Sequence, residues 1–285
     1  MKNLLTRRDT LGVLAAGVLG AAPRAAEAAA PFTIIVMDPL AAPLSCPCVK
    51  GYAQRDYEQL ARALEPKLGR PVAVHFSESL ALALDKKSGG KADLVIGKES
   101  VVREAAKARN LALAPVAALT DKQGKTTQTG LIVVASADPA LTAGDLKGYR
   151  ILFGPADCDE KHAAALELLK ELGAAPADKP EIRAACSDGA TDVLDLHKNG
   201  VKAATVISSY AQPLLEGCGT IKKGDLRVVG ETRPVPFVVA FASEKLPEAE
   251  RAQLRAALLA VGAVETLCVA LETKLGFVAP ESKKK

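Results

Sequence analysis

The six cysteines of this 285-residue chain are its most reactive side chains, and their placement frames the chemistry. Cys46 and Cys48 flank Pro47, in a loop between the first apolar run and a helical pattern. A bond between them would close a very small, strained ring, so each sulfur needs another partner. That partner is a distant cysteine, a soft metal, or nothing. A soft-metal site would combine Cys46 and Cys48 with His162 or another cysteine. The C-P-C motif lacks the two-residue spacing common in structural zinc sites, so bridges elsewhere and free thiols stay open beside it. Cys158 and Cys186 each follow a strand pattern and can form a disulfide between neighbouring strand ends. Cys218 lies in the turn Glu216-Gly217-Cys218-Gly219, and Cys268 sits in an apolar helix as a small buried residue. Of the three histidines, His75 is read as an outward strand residue and His197 as a helix-closing one. No G-x-S-x-G or comparable motif supports hydrolysis, so no catalytic residue is expected.

The amino-terminal end sets the compartment. Thr6-Arg7-Arg8-Asp9-Thr10-Leu11-Gly12 precedes the apolar run Val13 to Ala22, and A-x-A sites follow at Ala26-Glu27-Ala28 and Ala28-Ala29-Ala30. Residues 1–28 therefore read as a bacterial export signal of twin-arginine type, with an ordinary Sec signal as the alternative. The apolar run is too short for a permanent membrane span. A periplasmic, membrane-free mature chain starting near Ala29 to Pro31 is expected. Removing four basic and two acidic residues with the signal takes the formal charge from +4 to +2. With no long basic run before Lys283-Lys284-Lys285 and no tryptophan, nucleic-acid binding is not indicated.

Strand and helix patterns alternate from Phe32 onward. Thr33 to Met37 is continuously apolar, as in a strand buried on both faces, and is expected to be central. Helix spacing covers Asp56 to Leu68, closed by Gly69, with Pro66 awkward in the last turn. The polar segment Asp121 to Thr129 separates this block from a second alternating block. Such alternation predicts parallel sheets flanked by helices.

Several stretches occur in a telling order. They are Leu60-x3-Leu64-x3-Leu68-Gly69-Arg70-Pro71-Val72, Ala92-Asp93-Leu94-Val95-Ile96-Gly97 and Thr129-Gly130-Leu131-Ile132-Val133-Val134. After these come Asp145-Leu146-Lys147-Gly148-Tyr149-Arg150 before a strand, and Phe237-Val238-Val239-Ala240-Phe241. In this order the chain resembles the phosphate/phosphite/phosphonate family of periplasmic solute-binding proteins. The resemblance implies a two-lobed α/β clamshell, each lobe a mainly parallel sheet flanked by helices. Residues 31–129 with 237–285 would form one lobe and 130–236 the other, with crossings near Gln128–Leu131 and Pro236–Phe237. It also implies a monomer that closes over a small molecule or ion and presents it to a membrane permease. No cofactor is required, though a bound metal ion is compatible with the cysteines. A periplasmic accessory or metal-delivery protein for a redox enzyme is the alternative.

Ligands of parallel α/β sheets bind beyond the carboxyl ends of the strands. That rule gathers Cys46, Cys48, Lys98, Ser100, Asp157, Cys158, His162, Ser187, Ser208, Ser209 and Tyr210 as candidate ligand-binding residues. The family carries a Ser/Thr-rich loop that holds its oxyanion. Here the loop reads Gly154-Pro155-Ala156-Asp157-Cys158-Asp159-Glu160-Lys161-His162. Carboxylates replace the hydroxyls, so phosphate and simple alkylphosphonates are expected to bind weakly, and a metal ion, metal complex or cationic organic solute becomes admissible. Asp157 and Glu160 also fit a D-x-x-E capping pair at a helix start.

Overall fold

The computed structural model describes residues 30–45, 54–176 and 179–280. The loop bearing Cys46 and Cys48, and the export signal, lie outside the described residues. Among those described, thirteen strands and eight α-helices build two separate sheets and a small ribbon.

The first sheet uses β1 (Phe32–Met37), β2 (Val72–Phe76), β3 (Leu94–Lys98), β4 (Leu113–Leu119), β12 (Val238–Ser243) and β13 (Phe277–Val278), in the order β13-β4-β12-β3-β1-β2. The ribbon pairs β5 (Thr127–Gln128) with β11 (Val235–Pro236). The second sheet uses β6 (Gly130–Ala135), β7 (Arg150–Phe153), β8 (Glu181–Ile182), β9 (Ala203–Ser208) and β10 (Leu226–Glu231), in the order β10-β6-β9-β7-β8. The chain therefore passes between the sheets twice, and the two passes pair with each other as the ribbon.

Each sheet is mixed. Strands β2, β1 and β3 run parallel, while β12, which returns from the second sheet, pairs antiparallel with β3 and β4. Likewise β7 pairs parallel with β8 and β9, and β6 pairs antiparallel with β9 and β10. Strand β1 is buried throughout, as its composition requires, yet it lies one strand in from the edge. The returning β12 moved the centre of the sheet toward β3.

Period-two alternation divides each core into two faces. Ile34 and Val36 of β1 pack with Leu60 and Leu64 of helix α1 (Tyr57–Leu68) and with Leu254 and Leu258 of α7 (Glu248–Leu259). Ile35 and Met37 face the other way, onto Leu80 and Leu84 of α2 (Leu80–Lys86) and Val102 of α3 (Glu99–Ala108). Each such buried leucine contributes about 1.5–3 kcal/mol. In the second sheet, Ile132 and Val134 pack with Leu169 of α4 (Ala163–Glu171). Val133 packs with Val193 of α5 (Cys186–Lys198) and Ala211 of α6 (Ala211–Gly217). A last short helix, α8 (Glu265–Ala270), precedes β13.

Local signals explain most boundaries. Asp56 caps α1 by accepting from Glu58 and Gln59 N–H groups, and Gly69 closes it in the left-handed region. Pro66 is accommodated inside the last turn and does not end the helix early. Thr142 and Asp145 form a reciprocal capping box, and Gly148 turns the chain into β7 at φ 78°. Two expectations fail. The helix read from Glu160 begins at Ala163, and Asp157 with Glu160 does not cap it; its N-cap residue is His162, without a side-chain bond. The segment Cys186-Ser187-Asp188, expected as a cleft loop, is already the first turn of α5, because β8 ends at Ile182.

Candidate functional site

Strand ends place the site. Lys98 is the last residue of β3 and Ser208 the last of β9, so the carboxyl ends of the two sheets bring them together. Glu160 comes from the turn between β7 and α4. Its Oε1 pairs with the Lys98 ammonium and accepts from the Ser208 hydroxyl at 2.7 Å. Lys98 Nζ also donates to Ser208 Oγ at 3.3 Å and lies 5.5 Å above the Tyr210 ring. Glu160 is fully buried, and its Oε2 has no hydrogen-bond partner.

This pair displaces the expected cap for an energetic reason. An N-cap bond contributes about 1 kcal/mol. A buried cation deprived of its counter-charge costs about 3–5 kcal/mol. Burial alone would lower the Lys98 pKa, but Tyr210 and Glu160 outweigh it and hold the ammonium well above its ordinary value. Burial would likewise raise the Glu160 pKa, but the Lys98 charge and the hydrogen bonds from Lys98 and Ser208 hold it below the usual carboxylate value. The two groups stay charged across the neutral range.

Around this centre the two sheets touch through further, longer bonds. The Asp159 N–H donates to Ser100 Oγ at 3.3 Å, and Arg103 reaches Asp159 at 3.5 Å. The turn itself is clasped: Gly154 N–H donates to the Lys161 carbonyl, and Lys161 and His162 N–H groups both donate to the Cys158 carbonyl. Gly130, first residue of β6, has no space for a side chain, since a Cβ there would fall 1.9 Å from the Glu160 carbonyl oxygen.

Beside the centre, on the ribbon side, lies a cavity of about 440 Å³. Leu40, Arg55, Gln128 and Phe237 line it from the first sheet and ribbon, and Ser209, Tyr210 and Leu214 from the second. Tyr210 stacks on Phe237 at 5.2 Å between ring centres, and the Arg55 guanidinium sits 5.3 Å over the other ring. Arg55 is held by Asp38, 2.8 Å away, which also accepts from Tyr57 OH and Leu40 N–H. Burial alone would lower the Arg55 pKa, but Asp38 and Tyr57 leave it raised, so the guanidinium stays charged. Arg55 Nε and Gln128 Oε1 are buried without partners.

Of the residues expected from sequence, Lys98, Ser208, Tyr210, Ser100 and Ser209 converge between the sheets. Ser209 bonds the crossing strand at Thr129 and lines the cavity. Cys158 is buried in the turn, where burial raises its thiol pKa. Cys158 and Cys186 are both free thiols, so the expected bridge is not formed. The Cys186 sulfur is instead engaged with Ser208, accepting its N–H at 3.5 Å. Ser187 Oγ bonds Asp188 on an exposed helix turn, away from the Glu160 pair. Asp157 is half-buried and bonds to none of the described residues. His162 donates from Nδ1 to the Gly154 carbonyl at 2.9 Å and packs near Phe153, which serves the turn. No cluster of three or more metal-ligating side chains occurs among the described residues. Sequence reasoning missed Arg55, Gln128 and Phe237 as a lining and Asp38 as the counter-charge of Arg55; Asp38 and Arg55 stand 17 residues apart, with no periodicity to join them. It saw Glu160 but assigned it to a helix.

Comparison with known proteins supplies the rest. Three solved structures share the fold at low sequence identity. XAC2383 from Xanthomonas citri, bound to ATP, aligns with TM-score 0.64 and 16% identity over 88% of this chain and 91% of that one. The binding protein component PA3383 of an ABC phosphonate transporter from Pseudomonas aeruginosa aligns with TM-score 0.64 and 14% identity, covering 88% and 82%. PhnD1 from Prochlorococcus marinus, in complex with methylphosphonate, aligns with TM-score 0.62 and 12% identity, covering 89% and 93%. No curated protein matches the chain significantly by sequence. The profile of the family "ABC transporter, phosphonate, periplasmic substrate-binding protein" matches residues 51–281. By that match, over most of its length, the chain belongs to the family of periplasmic substrate-binding proteins of phosphonate ABC transporters.

Proposed function

We propose that this protein is the exported solute receptor of an ABC permease, and that its solute is neutral or cationic rather than a simple phosphate or phosphonate. Residues 130–236 would swing against 31–129 with 237–285 and close over the solute in the ribbon-side cavity. The closed form would then be recognised by the permease in the membrane. An amino-terminal export signal, read from the sequence as twin-arginine or Sec type, would put this cycle in the periplasm. No helix among the described residues is long and apolar enough to cross a membrane.

One observation carries the ligand reading. The buried cation between the lobes, Lys98, already holds an internal carboxylate. The cavity beside it offers no surplus positive charge either. Arg55 is matched by Asp38, and Lys122 by Glu272, while Asp121 adds a carboxylate at the rim. Stacked aromatic rings and leucines make up much of the remaining wall, a lining suited to an organic solute with an apolar or cationic body.

Calorimetric titration and thermal-shift screening of the mature protein test this. Small amines, amino acids and neutral organic solutes are expected to include a stabilising ligand whose effect is lost in Tyr210→Ala. Micromolar or tighter binding of inorganic phosphate or methylphosphonate to the unaltered protein would overturn the reading. Such an affinity needs about 8 kcal/mol, which the internal carboxylate opposes.

A further inference from the structure

We propose that Glu160 is the built-in occupant of an anion site, and the residue that turns this crevice away from oxyanions. The inference rests on the reading of the inter-lobe crevice as the solute crevice.

The donors make an anion site without Glu160. Lys98 and Ser208 come from the strand ends of opposite lobes and are buried to 6% and 0% exposure. Both aim at one oxygen, Glu160 Oε1. An ammonium and a hydroxyl converging in a water-poor space bind a phosphate, sulfate or carboxylate oxygen by the same charge-assisted bonds. Among the described residues Lys98 pairs with no other carboxylate.

Glu160 is not there for its own element. It precedes α4 and caps nothing. Its second oxygen is buried with no partner, a cost that local folding does not explain. The backbone is nevertheless cleared to admit it, because only a residue without a side chain fits at Gly130 against the Glu160 carbonyl. The carboxylate is thus delivered across the lobe boundary onto the donors, as a bound anion would be. Removing it leaves Lys98 buried and without counter-charge, and a free anion then becomes the replacement.

The test uses Glu160→Ala in the mature protein with four probes: inorganic phosphate, methylphosphonate, sulfate and acetate. The unaltered protein is expected to show no thermal shift and no heat with any of them. The variant is expected to melt lower in anion-poor buffer and to regain stability with added anion, with a dissociation constant in the millimolar range or tighter. The neutral pair Lys98→Met with Glu160→Leu is expected to ignore all four. If Glu160→Ala does not fold in plain buffer, refolding it with and without acetate or phosphate gives the same readout, and recovery only with anion supports the site. A variant indifferent to all four anions in melting, titration and refolding would overturn the proposal. So would an unaltered protein that binds phosphate as tightly as the variant does. Failure to find a solute for the ribbon-side cavity would count against the receptor reading alone, because the anion response of the variant needs only Lys98 and Ser208.

Discussion

Two buried acid–base pairs lie among the described residues, and they are built differently. Asp38 and Arg55 belong to one lobe, and Asp38 is saturated: it takes Arg55, Tyr57 OH and a backbone N–H. Lys98 and Glu160 belong to different lobes, and Glu160 keeps one oxygen without a partner. The first pair is held within one lobe, with Asp38 sealed in its core and Arg55 lining the ribbon-side cavity. The second can be relieved by parting the lobes and letting water in. Burial is nearly equal in the two pairs, so the difference lies in whether the fold offers a hydrated alternative.

The largest expected effect follows from the pair within one lobe, whose carboxylate has three donors. Asp38→Ala strands Arg55 and the Tyr57 hydroxyl, and should cost about 3–5 kcal/mol in denaturant melts. Lys98→Met should cost less, about 1–3 kcal/mol, because opening the lobes hydrates Glu160. Small-angle scattering should show that variant more extended than the unaltered protein. Equal losses with no change in dimensions would erase the distinction between the pairs.

Acid sharpens the comparison further. Glu160 has its pKa lowered in the folded state, so its contribution is full above the ordinary glutamate value of about 4.3. It is lost as pH falls below that value and through the folded one. Lys98 has its pKa raised, so its contribution is full below the ordinary lysine value and is lost as pH rises through the folded one. Extension of the molecule should therefore begin only below the ordinary glutamate value, at about pH 4 and lower, and before the far-ultraviolet signal of either lobe changes. If secondary structure melts first, the pair is not the weak seam.

The smallest effect concerns two thiols of the second lobe, one in the Glu160 turn and one at the end of α6. Cys158 has its thiol pKa raised by burial, whereas a hydrogen bond with Thr220 Oγ1, 3.0 Å away, lowers that of Cys218. Iodoacetamide should modify Cys218 well before Cys158 at neutral pH. Lys98→Met should narrow the gap by exposing the Glu160 turn. Peptide mapping reads both rates.

The fold was largely legible because its signals are local. Apolar runs in β1 and β3, the Asp56 and Gly69 caps and the turn at Gly148 each specify their own element. Strand β13 and the first turn of α5 were missed, since β13 is two residues long and depends on pairing with β4. The site was half legible. Lys98, Ser208 and Tyr210 follow from the rule that strand ends open on the crevice. The partner of Lys98 did not follow, because Glu160 has a good local explanation as a cap, and only a charge 62 residues away overrides it. The aromatic and arginine lining of the cavity has no sequence period, being assembled from both lobes and the ribbon.

The ribbon has a mechanical consequence. Two short strands lying side by side, Thr127–Gln128 and Val235–Pro236, carry the chain from lobe to lobe. A strip of this kind bends more readily across its thin dimension than within its plane. On the proposed hinge, the ribbon would favour one rotation, like plates on a leaf flexure. Such a closure would return Ser208 and Glu160 to the same register opposite Lys98, and the polar contact would be remade without a search.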